Sequence, residues 1–195
     1  MKNNKNVLKG IKVEDIEVAV SRCWQWFFNY PKSKIGLNDL SSSIGSSKTS
    51  TKKAVEYLMS IRFLQREIIG KAWLLQANQE HPFFKTKKIP INLSLIYESG
   101  ILDAVYKAVP GARAVILFGS YRWGVDIEES DIDIAVEIVG NQELQIHRLG
   151  IIEQLGYRKN VPVNVHIFSR NKIDLNLFAN IANGIALDGF LEVRP

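Results

Sequence analysis

With one cysteine in 195 residues, Cys23, the chain has no disulfide framework to build, so the stapled secreted scaffolds are excluded. Cys23 sits in the apolar run Cys23-Trp24-Gln25-Trp26-Phe27-Phe28 and reads as a small core residue. No apolar stretch approaches the ~20 residues of a membrane-crossing helix. The opening segment MKNNKNVLKGIK is basic but has no apolar region of the kind a secretory leader needs. The expectation is therefore a cytoplasmic protein with no membrane partner. Histidine is scarce too, with three in the chain, and neither His81 nor His147 stands in a metal-ligand spacing.

What is present is apolar mass and an uneven distribution of charge. At 46% apolar residues the chain can fill real cores, and its length suits two domains of roughly 100 residues. Residues 1–88 carry 16 Lys and Arg against 7 Asp and Glu, a balance of +9. Residues 89–195 carry 9 against 13, a balance of −4. A basic half followed by an acidic half implies different partners: a polyanion for the first, metal or metal-nucleotide chemistry for the second. The basic connection Lys85–Pro90 marks the boundary, giving expected domains over residues 1–85 and 90–195.

In the first half, helical spacing of apolar residues runs from Glu14 to Tyr30, and Pro31 ends it. Leu37, Leu40 and Ile44 share a face of a short second helix that Gly45 stops. The hydroxyl-rich and basic stretch Ser46–Lys53 opens a third helix. Two strand-like runs, Phe63–Ile69 and Ala72–Gln76, then flank a tight turn at Gly70-Lys71. This order resembles the winged helix-turn-helix of small prokaryotic transcriptional regulators, through LNDLSSSIGSSKTSTKKAVEYLMSIRFLQREIIGKAWLLQANQEHPFF. The resemblance implies double-stranded DNA as partner, with Ser47, Lys48, Thr49, Ser50, Lys52 and Lys53 at the major groove and Lys71 on flanking phosphate. A winged helix used only for protein contacts is the alternative.

In the second half, residues 92–109 read as a helix ended by Pro110-Gly111. Ala114–Phe118 is a continuous apolar run of the kind that fills a strand buried on both faces. Gly119-Ser120 follows it, then a short helical stretch to Gly124. A glycine there lets backbone N–H groups approach a ligand closely, and the hydroxyl adds a donor. Ser130–Val136 reads as a second strand, whose period of two places Asp131 and Asp133 on one face. Paired carboxylates repel unless a divalent cation lies between them, and this spacing suits in-line phosphoryl chemistry.

The set Gly119-Ser120 and Ser130-Asp131-Ile132-Asp133 resembles the signature of the DNA polymerase beta-like nucleotidyltransferase superfamily, closest to its minimal prokaryotic members. The resemblance spans about residues 92–190, including Ile173–Ala182 and the stretch Gly184–Gly189. It implies that Gly119 and Ser120 hold the phosphates of a nucleoside triphosphate, ATP the expected one. Asp131 and Asp133 would hold Mg²⁺, and a third carboxylate on a neighbouring strand would complete the site. Two departures stand out. Trp123 occupies the place where the family often has arginine, with Arg122 shifted by one. Val161–Phe168, the strand for the third acid, has Asn164 at the aligned position and His166 on the same face. An asparagine coordinates metal weakly and takes no proton from an attacking hydroxyl.

The expected fold class is α+β: an N-terminal winged helix-turn-helix plus a C-terminal nucleotidyltransferase fold, a mixed sheet flanked by helices. Two functions stay open: an Mg²⁺-dependent nucleotidyltransferase with Asp131, Asp133 and Asn164 at its centre, or a DNA-binding regulator that binds nucleotide without turnover. A protein acceptor, a toxin partner and a homodimer are all compatible with either.

Overall fold

The computed structural model describes residues 13–70 and 72–193, and the chain divides into two compact units between His81 and Pro82. Lys71, the expected hairpin-tip cation, lies outside the described residues.

The first unit opens with helix α1 (Val13–Asn29), which buries Ala19, Val20, Cys23, Trp26, Phe27 and Phe28. Burial pushes the Cys23 thiol up to about 12, so it stays protonated and packs as a small apolar residue. Strand β1 (Lys34–Gly36) lies within what reads from sequence as a polar connection. Helices α2 (Leu37–Ser43) and α3 (Lys48–Ser60) follow, then strands β2 (Leu64–Ile69) and β3 (Ala72–Ala77). The three strands form an antiparallel sheet in the order β1-β3-β2. Phe63 meets Phe27 and Phe28 edge-on, at 6.5 and 5.6 Å between ring centroids, joining the end of α3 to α1. The α2–α3 turn is closed by Gly45 in the left-handed region, and Arg22 of α1 donates to the carbonyls of Ile44 and Gly45.

The second unit begins with α4 (Phe83–Thr86), α5 (Lys88–Glu98) and α6 (Ile101–Ala108). The expected linker Lys85–Pro90 is thus largely helical. Pro90 falls in the first turn of α5, where a missing N–H breaks no intrahelical bond. The single helix expected over 92–109 is two, separated by Gly100 in the left-handed conformation. Strands β4 (Ala112–Phe118), β5 (Ile132–Ile138), β6 (Gln145–Leu155), β7 (Arg158–Phe168) and β8 (Ile185–Gly189) form one mixed sheet, with α7 (Ser120–Trp123) after β4 and α8 (Leu175–Ala182) before β8.

The strand order is β6-β7-β5-β4-β8, with β5 and β7 the only parallel neighbours among the described strands. One face packs Val115, Leu117, Ile132, Ile134, Val136, Val161, Val163 and Val165 against Ile96, Ile101 and Val105 of α5 and α6. The other packs Ala114, Ile116, Phe118, Ala135 and Phe168 against Ile181 and Phe178 of α8. Burial on both faces is why β4 reads as an unbroken apolar run. Asp133, Asn164 and His166 lie on the α8 face yet keep partial solvent access.

Candidate active site

Gly119 ends β4 at φ 72° and ψ −154°, a conformation essentially closed to residues with a side chain. A Cβ there would stand 2.8 Å from Asp133 Oδ2. The Gly119–Ser120 backbone therefore lies directly against the Asp133 carboxylate, which only glycine permits. Register aligns the next pieces: Phe118 opposite Asp133, and Asp133 opposite Asn164. Asp131 precedes the first residue of β5 and faces the same side, because Asn164 Nδ2 donates to its Oδ2 at 2.5 Å. His166 Nε2 donates to Asp133 Oδ1 at 3.2 Å, which leaves its buried Nδ1 without a hydrogen-bond partner among the described residues. The ring also meets Phe118 edge-on at 4.9 Å.

The five residues expected from sequence to form the site, Gly119, Ser120, Asp131, Asp133 and Asn164, thus come together, with His166 beside them. Asp131 and Asp133 offer hard carboxylate oxygens that fit a divalent cation of the Mg²⁺ kind. The third ligand position is filled by an amide whose nitrogen, not its oxygen, faces Asp131. Among the described residues no group of three His, Cys, Asp or Glu side chains is arranged to hold a metal. The protein therefore offers a divalent cation two carboxylates, and the rest of a full oxygen shell would have to come from other donors.

A buried polar network that the sequence reading missed supports the loop carrying Asp131. Lys88 of α5 is 1% exposed and Asp126 is 3% exposed; Lys88 Nζ lies 3.1 Å from Asp126 Oδ2 and donates to the Asp126 carbonyl at 2.5 Å. Asn92 donates to Asp126 Oδ1 at 2.8 Å. Arg158 of β7, also buried, donates to the Tyr121 hydroxyl and to the carbonyl of Ser130, the residue before Asp131. Ser130 Oγ accepts from the Ile127 N–H and closes the turn. Burial pushes the Asp126 carboxyl up and the Lys88 ammonium down, and each partly offsets the other's shift. Sequence carries no signal for it: Lys88 ends the basic stretch Lys85–Lys88 and meets Asp126 only 38 residues on.

Arg122 lies over the Trp123 ring, 3.8 Å from its centroid, and Nε donates to the Asn183 carbonyl at 2.6 Å. It tethers α7 to the end of α8, while Trp123 stays 45% exposed beside the turn.

In the first unit, Lys48, Thr49 and Lys52 are exposed at the start of α3, Ser50 and Lys53 partly so. Ser47 caps the helix: its Oγ accepts from the Ser50 N–H at 3.1 Å. Lys52 is shared with Glu56, at 3.8 Å, and with the face of Trp73.

Residues 99–186 fit a family model described as a nucleotidyltransferase domain. The match contains Gly119, Ser120, Asp131, Asp133 and Asn164, and it omits the first unit and α5. No curated protein sequence matches the chain. No helix among the described residues is long and apolar enough to cross a membrane.

Proposed function

With a nucleotidyltransferase domain family as the premise for residues 99–186, we propose that this protein transfers a nucleoside monophosphate from a nucleoside triphosphate to a hydroxyl acceptor. The observation carrying this reading is the approach of the Gly119–Ser120 backbone to Asp133, which sets a phosphate-cradling turn against two carboxylates. Gly119 and Ser120 hold the outer phosphates of the triphosphate through backbone N–H groups and the Ser120 hydroxyl. Asp131 and Asp133 would hold a divalent cation, Mg²⁺ the expected one, which when bound supplies positive charge to the transferring phosphoryl group. Asn164 and His166 fix the two carboxylates by donating to them. The test is incubation with Mg²⁺ and α-labelled ATP: label should reach an acceptor in the wild type and be lost in Asp131→Ala. Label transfer that survives Asp131→Ala removes the site from the reaction.

The N-terminal unit supports a companion reading as a winged helix that binds double-stranded DNA. Its basis is α3, which presents Lys48, Thr49 and Lys52 to solvent from a capped N-terminal turn. In this reading the protein is a regulator, and the amide at position 164 favours nucleotide binding without turnover. Lys52→Ala/Lys53→Ala should weaken duplex binding and lower the salt slope of log K by about two, one for each phosphate contact. An unchanged slope would show that α3 does not face the duplex.

A further inference from the structure

β6 lies at one edge of the C-terminal sheet, hydrogen-bonded to β7 alone. An edge strand presents a row of unpaired N–H and C=O groups, which folded chains blunt with shortness, proline, lysine or a covering segment. The opposite edge is blunted: β8 runs for five residues and ends at Gly189, φ 73°. β6 runs for eleven residues, contains neither proline nor lysine, and leaves Ile146 and Ile151 58% and 56% exposed.

Pairing with β7 fixes which side chains of β6 share a face. Arg148 opposes Asn164, Gly150 opposes Val163 and Ile151 opposes Pro162, so Leu149 is an extra residue and the alternation changes phase there. Ile146, Arg148, Ile151 and Glu153 therefore project from the same face of the sheet. Arg148 and Glu153 are exposed, and neither forms an ion pair or hydrogen bond with another described residue. They stand roughly 15 Å apart along the strand, so they cannot satisfy each other within one chain. Gly150, between them, has no local reason to be glycine. Its φ lies outside the left-handed region, and a Cβ there would meet nothing within 4 Å. Glycine inside a strand weakens it, and one with neither conformation nor space to explain it marks the close approach of another backbone.

We infer that β6 pairs edge to edge with β6 of a second copy of this chain, joining the two C-terminal sheets into one. Antiparallel pairing of a strand with itself is isologous, so a single two-fold axis relates the copies. Matching faces past Leu149 puts that axis at Gly150, with Arg148 opposite Ile151 of the other copy and Ile146 opposite its Glu153. Arg148 of each copy then lies diagonal to Glu153 of the other, within reach of long side chains. Each exposed isoleucine is covered by the stem of an arginine or a glutamate. An unrelated peptide would satisfy the backbone groups alone, whereas Ile, Arg, Ile and Glu disposed about a glycine are complementary to themselves.

Sedimentation equilibrium of the full chain at concentrations up to about 0.1 mM should give the mass of two chains. Arg148→Glu sets like charges at both diagonals and should raise the dimer Kd about tenfold, as should Glu153→Arg. Arg148→Glu/Glu153→Arg restores opposite charges in a self-pair and should return Kd to within about threefold of wild type. Gly150→Cys places a thiol against its own copy at the axis and should cross-link under a mild oxidant. Leu175→Cys, at an 81% exposed position on α8, should not. A wild type that stays monomeric, a dimer indifferent to Arg148→Glu, or a Gly150→Cys that cross-links no more than Leu175→Cys overturns the inference. So does a double reversal as weak as the single variants, which would give the edge to a partner of different sequence.

Discussion

Lys88→Met should lower the stability of the C-terminal unit by about 3–5 kcal/mol, because it leaves the Asp126 carboxylate buried with no counter-charge. Lys88 and Asp126 are 1% and 3% exposed, so water cannot take the place of the lost ammonium, and the Asp126 carbonyl loses a donor too. At a urea slope near ~2 kcal/mol/M the transition of this unit should move down by about 2 M, while that of the first unit stays. The deficit depends on pH in a definite direction. Burial already raises the Asp126 carboxyl, so its contribution is present below the ordinary carboxyl range and fades as pH rises through its folded value. Without Lys88 that folded value climbs further. The variant should therefore be closest to wild type in acid, where a protonated Asp126 needs no partner, and worst at neutral pH. Lys88→Met/Asp126→Leu should recover most of the loss, since removing both charges removes the unpaired one. A single variant as stable as wild type at neutral pH would mean that the pair is not what holds the 124–131 loop.

Asn164→Asp should reverse its effect on stability with the addition of metal. In chelator the variant loses the Asn164 donation to Asp131, a bond to a charged group worth about 2 kcal/mol, and sets three carboxylates together. Pairing of the new acid with exposed Arg148 returns under about 1 kcal/mol. The melting temperature of the unit should fall by roughly 5–8 °C. With Mg²⁺ or Mn²⁺ in hundredfold excess over Kd, binding should return about 2.7 kcal/mol, while the wild type barely responds to metal alone. Wild type should respond when Mg²⁺ is added with ATP, whose phosphates supply the missing oxygens. A variant with the same metal response as wild type would mean that position 164 does not touch the cation's place.

The residues at the centre of the site were legible because their chemistry is local. Gly119-Ser120 closes an apolar run and Asp131 and Asp133 stand two apart; Asn164 came from the family resemblance, and strand period two then put His166 on its face. β6 was not legible, for a physical reason. It is an edge strand largely exposed on both faces, and a register shift between Arg148 and Gly150 breaks its alternation, so its apolar residues follow no single period of two. Arg148 was hidden with it. Lys88 escaped notice because it ends a run of lysines before a proline, the composition of a linker. Only its meeting with Asp126, 38 residues on, makes it a core residue. In the first unit β1 is three residues long, too short for any periodicity to declare it.

The parallel pairing of β5 with β7 has a consequence for how the chain reaches its working form. β5 cannot turn back onto a parallel neighbour directly, and the intervening chain has to carry β6 past the place that β7 will fill. Asp131 and Asp133 therefore gain Asn164 and His166 only when the β6–β7 hairpin slots in beside β5, a closure across 33 residues. Contacts of that span form late, after local helices and hairpins have paid their own entropy. Before that closure Asp131 and Asp133 lack both of the donors that fix them, Asn164 and His166. The two aspartates thus acquire their fixed geometry only with the last long-range pairing of the sheet.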